Sequence, residues 1–220
     1  MGDRLEEMPL FLLNTVLFPH AQIQIHVFEE RYRTMVQDCL EGDLPFGIVL
    51  IRSGSEVGGP AEPYMVGTAV RIVSTHTFED GKMDVRVLGE RRFRIRRIDE
   101  AGPYMVGYVE PVFDVAIQDM EKVGELALLS KEYVHAYIEN YFVRFNVKTN
   151  FPTDPTRLSF VVANFLQIEN IQKQRLLETT DTIERLQEIV PILERHILEA
   201  KSSEPHKVTV QHTKDWIFPN

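Results

Sequence analysis

The sequence predicts an α+β protein, in which a strand-rich first half built around one helix gives way to a helical second half. Three observations carry this. Apolar residues alternate with polar ones along short segments up to Val112, the period of a strand with one buried face. Turn formers separate those segments, most clearly at Asp80-Gly81, where glycine supplies the positive φ of a tight hairpin. Beyond Asp119, apolar residues recur at steps of three and four, the period of an amphipathic helix.

Met8–Leu13 and Gln22–Val27 read as the first strands, separated by the apolar run that ends at Leu17-Phe18-Pro19. A helix follows over Glu29–Leu40. Tyr32, Met35, Val36 and either Cys39 or Leu40 line one face, and Gly42 is its expected stop. Phe46–Arg52, Tyr64–Phe78, Met83–Leu88, Arg92–Ile98 and Tyr104–Val112 complete the strands. Ser53–Pro63 is rich in Gly and Pro and poor in apolar residues, which marks a loop. The run Pro63-Tyr64-Met65-Val66-Gly67 recurs as Pro103-Tyr104-Met105-Val106-Gly107, and both copies read as strand starts. Strands so arranged around one helix suggest a small, partly closed barrel, because closure removes exposed sheet edges.

In the second half, Asp119–Phe145 carries Val123, Leu126, Ala127, Val134, Tyr137, Ile138, Tyr141, Phe142 and Phe145 at helical spacing. Asp154 followed by Pro155 is a strong helix start, an N-cap acceptor before a residue with φ already set. Lys173–Glu178 predicts a short helix. Thr180 or Asp181 then caps a last one, with Ile183, Leu186, Val190, Leu193 and Ile197 on one face and a kink expected at Pro191. The expected organisation is a barrel over 1–113, a helical bundle over 114–204 and a tail over 205–220, whose Trp216, Ile217 and Phe218 are its apolar residues.

The chain has 220 residues, 44% hydrophobic and 26% charged, enough to bury a core without disulfides. A net charge of −9 argues against non-specific nucleic-acid binding, which needs a positive footprint. Cys39 is the only cysteine, and the acidic start Met1–Glu7 lacks the apolar core of a signal peptide. No apolar run reaches the ~20 residues of a membrane-spanning helix. These features lead to the expectation of a cytoplasmic protein.

His26-Val27-Phe28-Glu29-Glu30-Arg31-Tyr32, preceded by an apolar strand and Pro19, resembles the opening of the amino-terminal domain of Lon proteases. GTAVRI (67–72), GERRFRI (89–95), YMVGYVEP (104–111), DPTRLSFVVA (154–163) and KQRLLE (173–178) resemble further segments of that domain, in the same order. The resemblance implies a barrel of the PUA-like type packed on a helical bundle, and a role in capturing protein substrates. It implies structural roles for Pro19, His26, Phe28, Glu29, Arg31 and Tyr32. At His20 the family more often has glycine, which makes the local turn a point to check.

The chemistry of catalysis is not visible. No G-x-x-x-x-G-K-[ST] loop is present to cradle phosphates. Ser55 follows Gly54 directly instead of standing in a G-x-S-x-G elbow, and Ser130-Lys131 are adjacent on a helix, where side chains diverge. The seven histidines include no H-E-x-x-H and no i, i+4 pair. No cofactor and no metal are therefore expected. His26 is expected at a strand end, bonded to backbone. Glu29 or Glu30 suits the positive end of a helix, and Arg31 and Tyr32 suit an anchor between helix and barrel. Strand alternation places Arg92, Arg94 and Arg96 on one solvated face, with Phe93 and Ile95 on the other.

The expected function is a non-catalytic, stand-alone Lon-type recognition domain without ATPase or peptidase parts. It would bind exposed or unfolded, degron-like protein segments, as an adaptor for a separate protease or ATPase partner. Candidate contacts are Phe18, His20, Phe46 and Tyr64, with Arg92, Arg94 and Arg96 for acidic segments. A small-molecule- or RNA-binding PUA-like barrel is the alternative, motivated by GERRFRIRR.

Overall fold

The computed structural model describes residues 5–141 and 151–202. Among these are seven strands, β1 (Glu6–Leu13), β2 (Gln22–Val27), β3 (Phe46–Gly54), β4 (Ala61–Pro63), β5 (Val66–Thr77), β6 (Met83–Asp99) and β7 (Val106–Pro111). Five helices accompany them, α1 (Glu30–Gly42), α2 (Met120–Tyr141), α3 (Pro155–Phe165), α4 (Asn170–Glu178) and α5 (Thr182–Ser202). The chain is α+β, and divides into one compact unit up to Phe113 and a second from Asp114 onward.

In the first unit the strands close on themselves. The order β1-β7-β6-β5-β3 returns to β1 through a parallel β1–β3 pairing, and the other ring pairings are antiparallel. β2 adds to the first half of β6, and β4 adds to the end of β3. The two predicted strands 83–88 and 92–98 are one continuous β6. It can serve two neighbours in turn because its register shifts against β5 near Val70 and against β7 near Arg97. Such bulges bend a strand enough to round a barrel corner.

Alternation along β1 divides its side chains between two cores. Met8, Leu10 and Leu12 join Val49, Phe93 and Ile95 on one face of the sheet. Phe11 and Leu13 join Ile25, Phe46, Val85 and Val87 on the other, where Tyr32, Met35, Val36 and Cys39 of α1 cover them. The α1 face therefore uses Cys39, and Leu40 is exposed. The helix stops at Gly42, its last residue, and Asp43 takes the left-handed position with φ 50°. Asp tolerates that region better than most residues.

Phe93 fits only because two glycines flank it. A Cβ on Gly47 would lie 2.4 Å from its Cζ, and one on Gly67 would lie 2.9 Å from it and 2.5 Å from the Ile48 carbonyl oxygen. At the hairpin tip, Phe78 N–H donates to the Lys82 carbonyl and Gly81 N–H to the Phe78 carbonyl, with Gly81 at φ 79°. This is a three-residue loop with glycine in the left-handed position.

In the second unit Asp154 caps α3 as predicted, accepting from Arg157 N–H at 2.7 Å. Asp181, of the two candidates, caps α5, accepting from Ile183 and Glu184 N–H. α5 is a single helical element through Pro191. Phe142 and Phe145 lie outside the described residues, as does the 205–220 tail.

A buried arginine that sequence reasoning passed over organises this unit. Arg185 has a fully buried side chain on α5. It donates to Asp114 Oδ1 at 2.6 Å, to Ser159 Oγ at 2.7 Å and to the Thr179 carbonyl, and its guanidinium lies 3.9 Å from the Phe160 ring centre. Burial pulls its pKa down and Asp114 pushes it back up.

Two stability measurements follow from these contacts. Gly67→Ala should cost roughly 2–4 kcal/mol in urea unfolding, because strand backbone cannot yield to the new methyl. Asp114→Ala should cost about 3–5 kcal/mol by stranding a buried cation, and Asp114→Ala combined with Arg185→Met should recover part of that loss in a double-mutant cycle.

Candidate functional site

The Pro19 turn is built from four main-chain and side-chain bonds. Thr68 Oγ1 donates to the Leu17 carbonyl at 2.6 Å, and Ala21 N–H closes the turn on the Phe18 carbonyl at 3.2 Å. His20 N–H donates to Gly89, whose own N–H donates to Ala21, both at 2.8 Å. His20 sits at φ 69°. Proline followed by a positive-φ residue, closed by this bond, is the signature of a type II turn, where glycine is the usual third residue. His20 holds a glycine's conformation, and is half-exposed.

The segment bearing this turn lies against β5 and β6 and corrects three expectations. Phe18 and Phe46 are fully buried, so neither offers a surface contact. Arg92, paired across the sheet with Thr68, is only 2% exposed. Alternation gives a solvated face only where one side of a sheet is open, and here both sides are covered. Arg94 is half-buried opposite Glu110, and Arg96 is exposed and paired with Glu110 at 2.5 Å. Arg96 holds the Glu110 carboxyl below its ordinary pKa. Arg91 pairs with Glu6, and the Arg97 guanidinium lies 3.6 Å from the Tyr108 ring centre. The predicted row of three solvated cations is not assembled. Tyr64 is half-buried between β4 and β5, its N–H donating to the Leu50 carbonyl.

The signature residues are placed as follows. Pro19 is buried in its turn. Tyr32 stacks on Phe11 with ring centres 3.9 Å apart, and its hydroxyl accepts from Leu12 N–H at 3.3 Å. Burial raises its pKa. Arg31 pairs with Glu29 at 3.1 Å and donates to the Glu56 carbonyl, and Glu29 accepts from Gly58 N–H at 3.3 Å. Together they strap the loop over 55–60 to the start of α1. His26 departs from expectation: its Nδ1 lies 2.7 Å from Asp84 Oδ1, a side-chain partner, not backbone. Phe28 is 43% exposed.

Around His26 lies a surface that sequence reasoning did not assemble. His26 on β2, Asp84 on β6 and His76 on β5 form one cross-strand row. Gln24 donates to the second Asp84 oxygen at 3.1 Å. The rings of Phe28 and Phe78 lie 6.1 Å and 6.0 Å from His26, and Phe78 meets His76 edge-on at 4.7 Å. The hairpin loop at Asp80-Gly81 was enough to pair His76 with Asp84; nothing in the sequence announced that β2 would join them. Two exposed phenyl rings with a rim of hydrogen-bonding groups form a mixed polar and apolar patch on the surface. Among the described residues no group of three His, Cys, Asp or Glu is arranged to hold a metal, and no helix is long and apolar enough to cross a membrane.

Residues 7–195 match the family described as the ATP-dependent protease La (LON) substrate-binding domain. This chain belongs to that family. It is 30% identical to a Lon protease of Syntrophus aciditrophicus over 199 residues, 87% of this chain and 25% of the relative. It is 25% identical to the Lon protease of Escherichia coli K12 over 89% of this chain and 25% of the relative. The chain thus spans about a quarter of the length of these curated relatives. A crystal structure of a Lon N-terminal domain protein from Xanthomonas campestris is 28% identical and superposes with a TM-score of 0.64, covering 85% of this chain and 98% of that one. The N-terminal domain of a Mycobacterium avium complex Lon protease shares the fold at a TM-score of 0.65 and 20% identity, over 87% of this chain and 100% of that one. The Lon substrate-binding fold is thus the frame on which the Pro19 turn and the His26 surface sit.

The turn gives a direct test of His20. His20→Val should be about 1–2 kcal/mol less stable than His20→Gly in urea unfolding, since a β-branched residue pays the left-handed strain in full and glycine does not.

Proposed function

We propose that this chain recognises exposed, unfolded segments of protein clients, does not process them itself, and hands them to a protease as an adaptor. The observation that carries the reading is the match of residues 7–195 to a substrate-binding family. The exposed rings of Phe28 and Phe78 supply the apolar contact such clients need. Tyr64 and His20 are further contacts in this reading, being half-exposed. The basic-strand alternative loses its support, because Arg92 is interior and Arg91 and Arg96 are paired with carboxylates.

Fluorescence anisotropy tests the proposal. Labelled reduced, carboxymethylated lactalbumin should bind saturably, and native lactalbumin should not. Phe28→Ser with Phe78→Ser should weaken binding about 5–10-fold, the loss of ~1–1.4 kcal/mol of apolar burial. Equal, unsaturable signals from folded and unfolded protein would remove the reading, as would hydrolysis of labelled casein by the purified chain.

A further inference from the structure

β5 runs on past its partner. It pairs with β6 along its whole length, from Val66 to Thr77, but β3 reaches only Thr68, Ala69 and Val70. Backward extension of β3 beyond Phe46 would cover the rest. Pro45 stands there, and the chain leaves toward the left-handed Asp43 at the end of α1. A lane one strand wide is left beside Arg71–Thr77. Every residue from Val73 to Asp80 is exposed, and among the described residues no other main chain bonds to this stretch of edge.

The direction of the free groups can be derived. Phe78 bonds toward β6 through both its N–H and its carbonyl. Side of bonding alternates along an antiparallel strand, so His76 also faces β6, opposite Asp84, and Thr75 and Thr77 face the lane. They present two N–H groups and two carbonyls at the spacing of an extended chain. The register shift between Ile72 and Ser74 marks the inner end of this stretch.

Natural edges are protected by lysine, proline, inward charge, bulges or a covering element. Between Arg71 and Glu79 this edge has no lysine, proline or charged carboxylate or guanidinium; its residues are Ile72-Val73-Ser74-Thr75-His76-Thr77-Phe78, and its one irregularity is the register shift at the inner end, between Ile72 and Ser74. β-branched residues without charge favour a strand. Leu44, one residue before Pro45 where β3 would extend along the lane, is 54% exposed, and Leu40 on the last turn of α1 is exposed as well.

We propose that the lane beside β5 binds an extended, uncharged, β-branched segment of a client protein as an added antiparallel or parallel strand. The edge recognises main chain, which every unfolded polypeptide offers and a folded one withholds. Selectivity for exposed segments then needs no particular side-chain sequence. Leu40 and Leu44 meet apolar side chains on one face of the added strand, and His76 and Phe78 those on the other. The proposal rests on the client-binding reading and specifies its mode.

The probe is a short fluorescein-labelled peptide of alternating valine and threonine with a lysine at each end. Its control is the same peptide with every internal main-chain nitrogen methylated, which keeps the side chains and removes the donors of both edges. The full chain should bind the first and bind the second at least tenfold more weakly. Thr75→Pro and Thr77→Pro delete lane-facing N–H groups and leave the β6 ladder alone, a placement proline tolerates. Each should weaken binding at least fivefold with an unchanged melting temperature. In the unmodified chain, peptide should slow amide exchange at Thr75 and Thr77, a readout independent of whether the variants fold.

Equal binding of both peptides, or no change in exchange at Thr75 and Thr77, would overturn the proposal. If carboxymethylated lactalbumin still binds, only the mode fails; if it does not, the client-binding reading fails with it. A dimer abolished by the same prolines, without peptide binding, would assign the edge to a second copy of the chain and overturn the proposal too.

Discussion

The barrel depends on how Phe93 is seated. Its ring occupies space that side chains at positions 47 and 67 would otherwise take, so β3 and β5 approach β6 at glycine contact distances. On its other edge β3 pairs in parallel with β1, with Gly47 opposite Leu10, and that pairing closes the ring. Closure gives every strand of the wall a buried inner face, and α1 then buries much of the outer one. The apolar content of β1 and β3, nearly continuous in Leu10–Leu13 and Ile48–Ile51, is the consequence: a wall covered on both sides has little use for alternation.

The helical unit solves a different problem. Its helices end without helical partners for their last carbonyls, and the segments joining them must satisfy those groups. Arg185 collects such groups at one buried point: a carboxylate ahead of α2, a hydroxyl on α3 and the carbonyl at the end of α4. A planar fork of donors is suited to this, where an ammonium would serve fewer acceptors in fixed geometry. The arrangement costs desolvation and returns a defined arrangement of four segments.

Much of the fold was legible from residue order. The Asp154-Pro155 cap, the Asp80-Gly81 hairpin and the one-faced pattern of α1 are local, and local rules place them. Failures came where a distant segment decided the outcome. Arg92 alternated correctly along β6 yet is buried, because the Pro19 segment lies where solvent was expected. Phe18 and Phe46 are interior; aromatic residues of a barrel are mostly core, and which few of them stay exposed depends on the strands that cover them. His26 was expected to bond to backbone because its partner Asp84 stands 58 positions away. The Phe28–Phe78 surface was missed for the same reason: three strands contribute to it, and only the β5–β6 register was deducible from a turn.

The strap formed by Glu29 and Arg31 has a practical side. It fastens the loop at Glu56 and Gly58, so what lies between Gly58 and Pro60 is isolated from the barrel by fixed points on one side and by the β3–β4 pairing on the other. Gly58 has open space around it. Extra residues spliced in here would extend outward without altering the register of any strand, which makes this the natural graft point for a fluorophore tag or an affinity handle.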